Sequence, residues 1–520
     1  MRRHDRSNPR GAEHPGWGWL LALLAALLLL PRAAGAAGLT WEPPEALDQT
    51  DDPQPRFVYF HAEWCSWCRQ FEQRTLQDPL VAQRLARDFV PIRLDADRER
   101  SLFRRLGGRG LPYAVLLGPD GARLGSFTGI LDPRPFLQWL AEAAGENASA
   151  AVAVTPEIFH ETLEDLWDST AARFHGVSLT GIEGTKRPQP LTALYLLEAC
   201  FPQRAPSDAR LPCPDPAWRE RLPRLLDRML AELEDPVEGG FYFYADPGGE
   251  GHTETAKRLE RNVRMARLYV TACERLDVPR YCRAARQALA FMDHTLWDET
   301  EGAYRTGQHS DAAYFALPRA ERVKRPAPPV DAVFDTAANA QALILLHDAA
   351  RRWPASGHEA KAHRIENWLL TRARMPRHAF VDHRLPGDPP GGEPGSLYTQ
   401  AWVATALSRR LQGGSGADAL DLASAIERLL AYIGRFHYDP ASGALAENPA
   451  HEGETFTHPA ANGRLALLLL QLPPDLRPAW APSLLPRLLD QVRWRPGIEL
   501  DDLVDGVHAM QILEREARSG

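Results

Sequence analysis

One loop pattern recurs along most of the chain. Asp168-x-x-x-Ala172-x-Phe174, Asp235-x-x-x-Gly239-x-Phe241, Asp298-x-x-x-Gly302-x-Tyr304 and Asp439-x-x-x-Gly443-x-Leu445 share it, and a tryptophan precedes two of the aspartates, at Trp167 and Trp297. Aspartate opens such a turn, glycine takes the positive φ, and the apolar residue returns to the core. The copies recur roughly every 65 residues, with one double interval that a degenerate copy near Met375–Phe380 would fill. Amphipathic helical periods lie between them, at 156–172, 190–200, 217–234, 254–275, 280–296, 331–352, 358–373, 397–411, 418–435, 459–471, 478–491 and 501–516. Two helices per repeat make a helical hairpin, which cannot bury its apolar face alone. Six hairpins can close into an all-α (α/α)6 toroid, expected here over 155–516.

Residues 40–145 read differently. A strand at 57–60 leads into Cys65-Ser66-Trp67-Cys68 and a helix at 66–86, followed by a strand at 89–95 and a helix at 97–106. Gly110-Leu111-Pro112 then enters the strand Tyr113–Leu117. Gly118-Pro119-Asp120-Gly121 is a hairpin turn, Arg123–Thr128 the returning strand and Pro133–Ala144 a terminal helix. This order is that of an α/β thioredoxin fold. Gly145–Val154 is a linker of small residues.

The C-x-x-C motif carries the clearest chemistry. The strand delivers Cys65 to a helix start, where unpaired backbone N–H groups and the positive dipole end favour a thiolate. With Cys68 one turn away, the pair can make and break disulfides. The other readings are a zinc site, which wants a second ligand pair that is not spaced for it, and a structural disulfide.

Composition sets the surroundings. The formal net charge is −8, so no basic footprint argues for nucleic acid. Arg2, Arg3, Arg6 and Arg10, the apolar Trp17–Leu30 and the small residues after Pro31 read as a secretory signal over 1–37. The expected location is therefore outside the cytoplasm, in the periplasm. In an exported chain, Cys200/Cys213 and Cys273/Cys282 invite pairing, with buried free thiols the alternative. No cofactor-binding loop or metal motif is apparent.

Phe60-His61-Ala62-Glu63-Trp64-Cys65 through Glu72, Leu76-Gln77-Asp78-Pro79 and Gly110-Leu111-Pro112 resemble thioredoxin, most of all the periplasmic C-terminal domain of the transmembrane thiol:disulfide interchange reductase. The resemblance implies that Cys65 attacks and Cys68 resolves. It also implies that Pro112 is a cis proline facing the pair, and that Trp64, Trp67, Leu111 and Pro112 meet the substrate. Cysteine-containing proteins would be the substrates and a membrane protein the electron donor. Thioredoxins carry a buried aspartate six residues before the first cysteine as proton acceptor. Tyr59 stands there in this chain, so another base, Glu63 or water, is needed.

A thioredoxin-like domain followed by an α/α toroid also resembles the layout of the spermatogenesis-associated thioredoxin-like proteins. Gly184-Thr185-Lys186-Arg187-Pro188, Lys257-Arg258-Leu259-Glu260-Arg261-Asn262, Ala338-Asn339-Ala340 and Pro459-Ala460-Ala461-Asn462 are eroded versions of that family's elements. Only four of the 60 basic residues are lysines, and two of them, Lys186 and Lys257, fall on the family's lysine positions. His252, Glu254 and Glu260 are further candidates in the toroid, because toroids that act on sugars place carboxylates or histidines in the central cavity. The competing reading makes Thr253 a helix N-cap with Glu254 in its first turn. The leading expectation is an exported thiol–disulfide oxidoreductase with the toroid as binding domain. The alternative is a carbohydrate-active toroid, epimerase- or hydrolase-like, with an accessory thioredoxin unit.

Overall fold

The computed structural model describes residues 39–48, 53–63, 65–108, 111–129, 131, 133–144, 152–174, 188–202, 211–244, 254–389, 392, 394–413, 417–439, 444–447, 458–494 and 498–519. The signal expected over 1–37, together with Trp64, Lys186 and His252, lies outside these.

The first unit is built on a four-stranded sheet in the order β2-β1-β3-β4, from β1 (Arg56–His61), β2 (Val90–Asp95), β3 (Tyr113–Leu117) and β4 (Arg123–Thr128). β1 pairs parallel with β2 and antiparallel with β3. Side chains alternate across a strand, so Phe57 and Tyr59 enter one core while Val58 and Phe60 enter the other. The first core holds Cys65 and Cys68 with Phe71, Phe127, Phe136 and Trp139, the last two from α4 (Pro133–Ala143), which follows the short α3 (Arg100–Arg105).

One helix expected over 66–86 is two. Helix α1 (Ser66–Phe71) runs into a wide turn at Glu72–Leu76, and α2 (Pro79–Asp88) starts afresh. Asp78 is the cause. Its Oδ1 accepts the N–H groups of Leu80 at 2.9 Å and Val81 at 3.2 Å, and Pro79 has no N–H to continue the earlier helix.

The second unit is a closed ring of hairpins. Its inner helices are α6 (Pro190–Cys200), α8 (Leu259–Leu276), α10 (Thr336–Arg352), α12 (Leu397–Gly413), α14 (Pro459–Gln471) and α16 (Leu500–Ser519). The outer helices are α5 (Pro156–Asp165), α7 (Trp218–Leu233), α9 (Pro279–Phe291), α11 (His358–Trp368), α13 (Ala417–Tyr432) and α15 (Ala481–Asp490). Each inner helix packs on the next, and α16 packs on α6, so the ring closes. Burial separates the two sets. Residues 459–470 of α14 are all buried, whereas α7 buries one stripe, Trp218, Leu222, Leu225, Leu226, Met229 and Leu233.

Ring closure has a polar lock. The Asp501 carboxylate caps α6, accepting Leu191 N–H at 3.1 Å and Thr192 N–H at 2.8 Å. Gln189 Oε1 returns the favour by accepting Asp501 N–H at 3.1 Å.

The recurring loops form as the pattern requires. Asp298 Oδ1 accepts the N–H groups of Thr300 and Glu301, both at 3.0 Å, and Gly302 takes φ 74°. Asp168 does the same for Thr170 and Ala171, and Ala172 adopts φ 52°. The degenerate copy bridges Arg374 to Phe380, with His378 at φ 68°. An amide on the following inner helix then pins the returning aromatic. Asn262 Oδ1 and Nδ2 bond Phe241 N–H and C=O at 2.7 and 3.0 Å; Asn339 does so for Tyr304 at 2.9 and 2.9 Å. Gln400 does so for Phe380 at 2.9 and 2.8 Å.

All six cysteines are paired, as Cys65–Cys68, Cys200–Cys213 and Cys273–Cys282. Among the described residues, no helix is long and apolar enough to cross a membrane.

Candidate functional site

β1 ends at His61 and a tight turn places Cys65 at the N-cap of α1, where its Sγ accepts Cys68 N–H at 3.0 Å. The backbone N–H that would stabilise a Cys65 thiolate is therefore already aimed at its sulfur. The two cysteines are bonded to one another. The Leu111-Pro112 peptide is cis, and Leu111 packs on the core cluster that contains the pair.

Tyr59 is fully buried beneath the motif. Its hydroxyl lies 3.1 Å from Glu72 Oε1 and 3.3 Å from Cys68 O, and Glu72 is itself held by Arg93 Nη2 at 2.8 Å. Burial, reinforced by the Glu72 charge, drives the phenol well above its ordinary range, so it remains a hydrogen donor. Glu63, one of the two bases expected from sequence, is exposed. Glu72, one turn after Cys68, is the carboxylate the structure brings to Tyr59. Its position four residues after Cys68 on a helix was the signal that could have found it.

The toroid candidates separate into two settings. Lys257 is fully buried: its Nζ meets Asp235 Oδ2 at 2.6 Å and Gly239 O at 2.8 Å, and lies 4.6 Å from the Phe291 ring centroid and 4.8 Å from that of Phe315. Arg322 Nη1 meets the same Asp235 oxygen at 2.7 Å. Burial raises the Asp235 carboxyl, but Arg322 and Lys257 outweigh it, and the group is held below its usual range. This ion cluster anchors the loop at Asp235–Gly239. Gly239 is required there: it has positive φ, and a Cβ would lie 2.7 Å from Gln287 O.

Glu254 is not in the first turn of a helix. Its backbone bridges Tyr244, with Glu254 N–H to Tyr244 O at 3.1 Å and Phe243 N–H to Glu254 O at 3.0 Å, and α8 begins only at Leu259. The ribbon Lys257–Arg258, paired with Gly307–Gln308, keeps the intervening chain extended. The aromatics before it divide. Phe241 stacks on Tyr269 with centroids 5.5 Å apart, Tyr242 meets Phe315, and Phe243 lies under Arg258 and Arg261.

Glu260 sits in the first turn of α8. Its Oε1 accepts from Tyr398 Oη at 2.7 Å, Arg264 Nη2 at 2.5 Å and Gln341 Nε2 at 3.3 Å. Asp502, in the first turn of α16, has its carboxyl pushed up by burial and by the Glu499 charge, with Glu260 adding to the effect. Glu260, Tyr398 and Asp502 all lie in the first turns of inner helices.

Residues 46–144 match the thioredoxin-like domain family. The N-terminal unit is a thioredoxin-like domain. It is 34% identical over 89 residues to the thiol:disulfide interchange protein DsbD of Pectobacterium atrosepticum, covering 16% of this chain and 15% of that protein. It is 31% identical over 86 residues to that of Pasteurella multocida, covering 15% of each. The chain thus spans less than a sixth of the length of the curated relatives it matches. Among solved structures, a family 76 glycoside hydrolase (mannosidase) from Bacteroides thetaiotaomicron is similar at 12% identity and TM-score 0.47, over 69% of this chain and 98% of that one. A D-mannose isomerase is similar at 12% identity and TM-score 0.45, over 61% of this chain and 79% of that one.

Proposed function

We propose that the protein is an exported thiol–disulfide oxidoreductase acting on cysteine-containing protein substrates through Cys65 and Cys68, with the toroid as its binding domain. The observation that carries this reading is Cys65 at a helix N-cap, disulfide-bonded to Cys68, with its sulfur on a backbone N–H. Cys65 is the attacking thiol, Cys68 resolves the mixed disulfide, and Glu72, which shares the Tyr59 hydroxyl with the Cys68 backbone carbonyl, is the carboxylate we assign to proton transfer, through solvent, at Cys68. Trp67, Leu111 and Pro112 flank the substrate chain. Two further disulfides in the chain fit an oxidising compartment and so the export reading. A membrane protein is the natural source of electrons.

The test is covalent trapping. Cys68→Ser should accumulate mixed disulfides with substrate proteins on Cys65, and Cys65→Ser should accumulate none. Equal trapping by both variants would refute the assigned roles.

One observation favours a second reading, a carbohydrate-active toroid. Burial and the Glu499 charge push the Asp502 carboxyl up, the Glu260 charge adds to the effect, and Tyr398, Arg264 and Gln341 keep Glu260 supplied with hydrogen bonds. Two carboxyl groups with divergent environments suit acid–base work on a sugar. Sugar binding that survives loss of both redox cysteines and disappears in Glu260→Gln would support it.

A further inference from the structure

The redox motif is turned toward the toroid. Trp67, the third residue of Cys-Ser-Trp-Cys, donates its indole N–H to the Glu254 carboxylate, and its ring lies 5.1 Å from that of Tyr244. Glu254 divides its oxygens: Oε1 accepts Ala256 N–H at 3.1 Å inside the ribbon, and Oε2 reaches Trp67. The ribbon is firmly based. Thr255 Oγ1 bonds Ser310 Oγ at 2.8 Å, and the next residue but one, Lys257, is locked in the buried ion cluster. The two cysteines and the cis proline have little open surface. Cys65 is 4% exposed, Cys68 1%, and Pro112 is buried.

We propose that Glu254 and Tyr244 form a latch that holds Trp67 against the toroid and so selects what can reach Cys65. This rests on the reading that the pair exchanges disulfides. With the latch closed, a small thiol can approach the Cys65 sulfur, whereas a folded dithiol protein must first displace Trp67 from its two partners. The reaction itself is ordinary exchange. A thiolate of the dithiol protein attacks Cys65 Sγ, the Cys65–Cys68 bond breaks, and Cys68 leaves as a thiolate that takes up a proton. The second thiolate of the reductant then attacks its own sulfur in the mixed disulfide and releases Cys65 as a thiolate. The reductant ends as a disulfide and the pair as a dithiol. Glu254 and Tyr244 touch no reacting atom; they determine which partner is admitted.

The test compares two reductants on the oxidised whole chain: dithiothreitol and a reduced thioredoxin, with thiol trapping at intervals. The readout is the ratio of the thioredoxin rate to the dithiothreitol rate. Losing a hydrogen bond to a charged group shifts an open–closed balance by about tenfold. Glu254→Ala should therefore raise the ratio about tenfold, and Glu254→Gln, which keeps an acceptor, should raise it far less. Tyr244→Leu, which removes the ring but leaves Glu254 in place, should also raise the ratio and serves if Glu254→Ala does not fold. An unchanged ratio in folded Glu254→Ala or Tyr244→Leu would overturn the latch. A pair that neither reductant opens in any variant would instead overturn the exchange reading on which the latch rests.

Discussion

Two buried side chains illustrate how much a single residue can hold. Lys257 brings a cation into a wholly enclosed site, where Asp235, Gly239 O and aromatic faces receive it. Removing one member of a buried ion cluster leaves the others uncompensated, so Lys257→Ala should destabilise the toroid by about 3–5 kcal/mol in denaturant unfolding. His437 is the opposite case, buried and neutral. Its Nδ1–H donates to Ala446 O at 2.9 Å, and burial lowers its pKa to about 4. In the unfolded chain the same imidazole takes a proton near 6.5. The unfolded state therefore binds more protons between these values, and the stability that neutral His437 contributes is lost as pH falls from about 6.5 toward 4. Between pH 7 and pH 5 this amounts to about 2 kcal/mol. Unfolding midpoints at the two pH values should converge in His437→Gln relative to the parent; an equal fall in both would remove His437 as the cause.

At the scale of elements, the repeated loop and the inner-helix amide act together. The loop pairs its aromatic with a residue across the turn, and Asn262, Asn339 or Gln400 takes up the aromatic's own backbone N–H and C=O. Asn339→Ala would leave the buried N–H and C=O of Tyr304 unpaired. A loss of about 2–4 kcal/mol is expected by denaturant titration, while Asn339→Gln should recover part of it if the longer amide can reach. The aspartate, glycine and aromatic of this device could be read directly from the sequence, because turn chemistry fixes their order. The amide could not, since it stands on another element and only the closed fold brings it to the loop. The same limit applies to helix starts. Asp78-Pro79 divided one expected helix in two, and Glu254 became part of a ribbon because its partner, Tyr244, is ten positions earlier and forms no local pattern with it.

For the whole molecule, the sequence carried the two architectures, since short apolar strands around C-x-x-C and paired helices at a long repeat have few other solutions. The relation between them was not legible. Nothing in the spacing of Trp67, Tyr244 and Glu254 signals that they meet. The outer disulfides belong to this scale as well. Cys273–Cys282 ties α8 to α9, and replacing both by serine should lower stability by about 2–3 kcal/mol without abolishing trapping by Cys65. The central claim is that Cys65–Cys68 is a working redox couple while the other two bridges are structural. Equilibration with graded dithiol and glutathione buffers, followed by thiol trapping and mass analysis, tests it directly. Cys65–Cys68 should titrate between about −120 and −270 mV, with Cys200–Cys213 and Cys273–Cys282 still oxidised below about −300 mV. A Cys65–Cys68 pair that stays oxidised as long as the other two would contradict it.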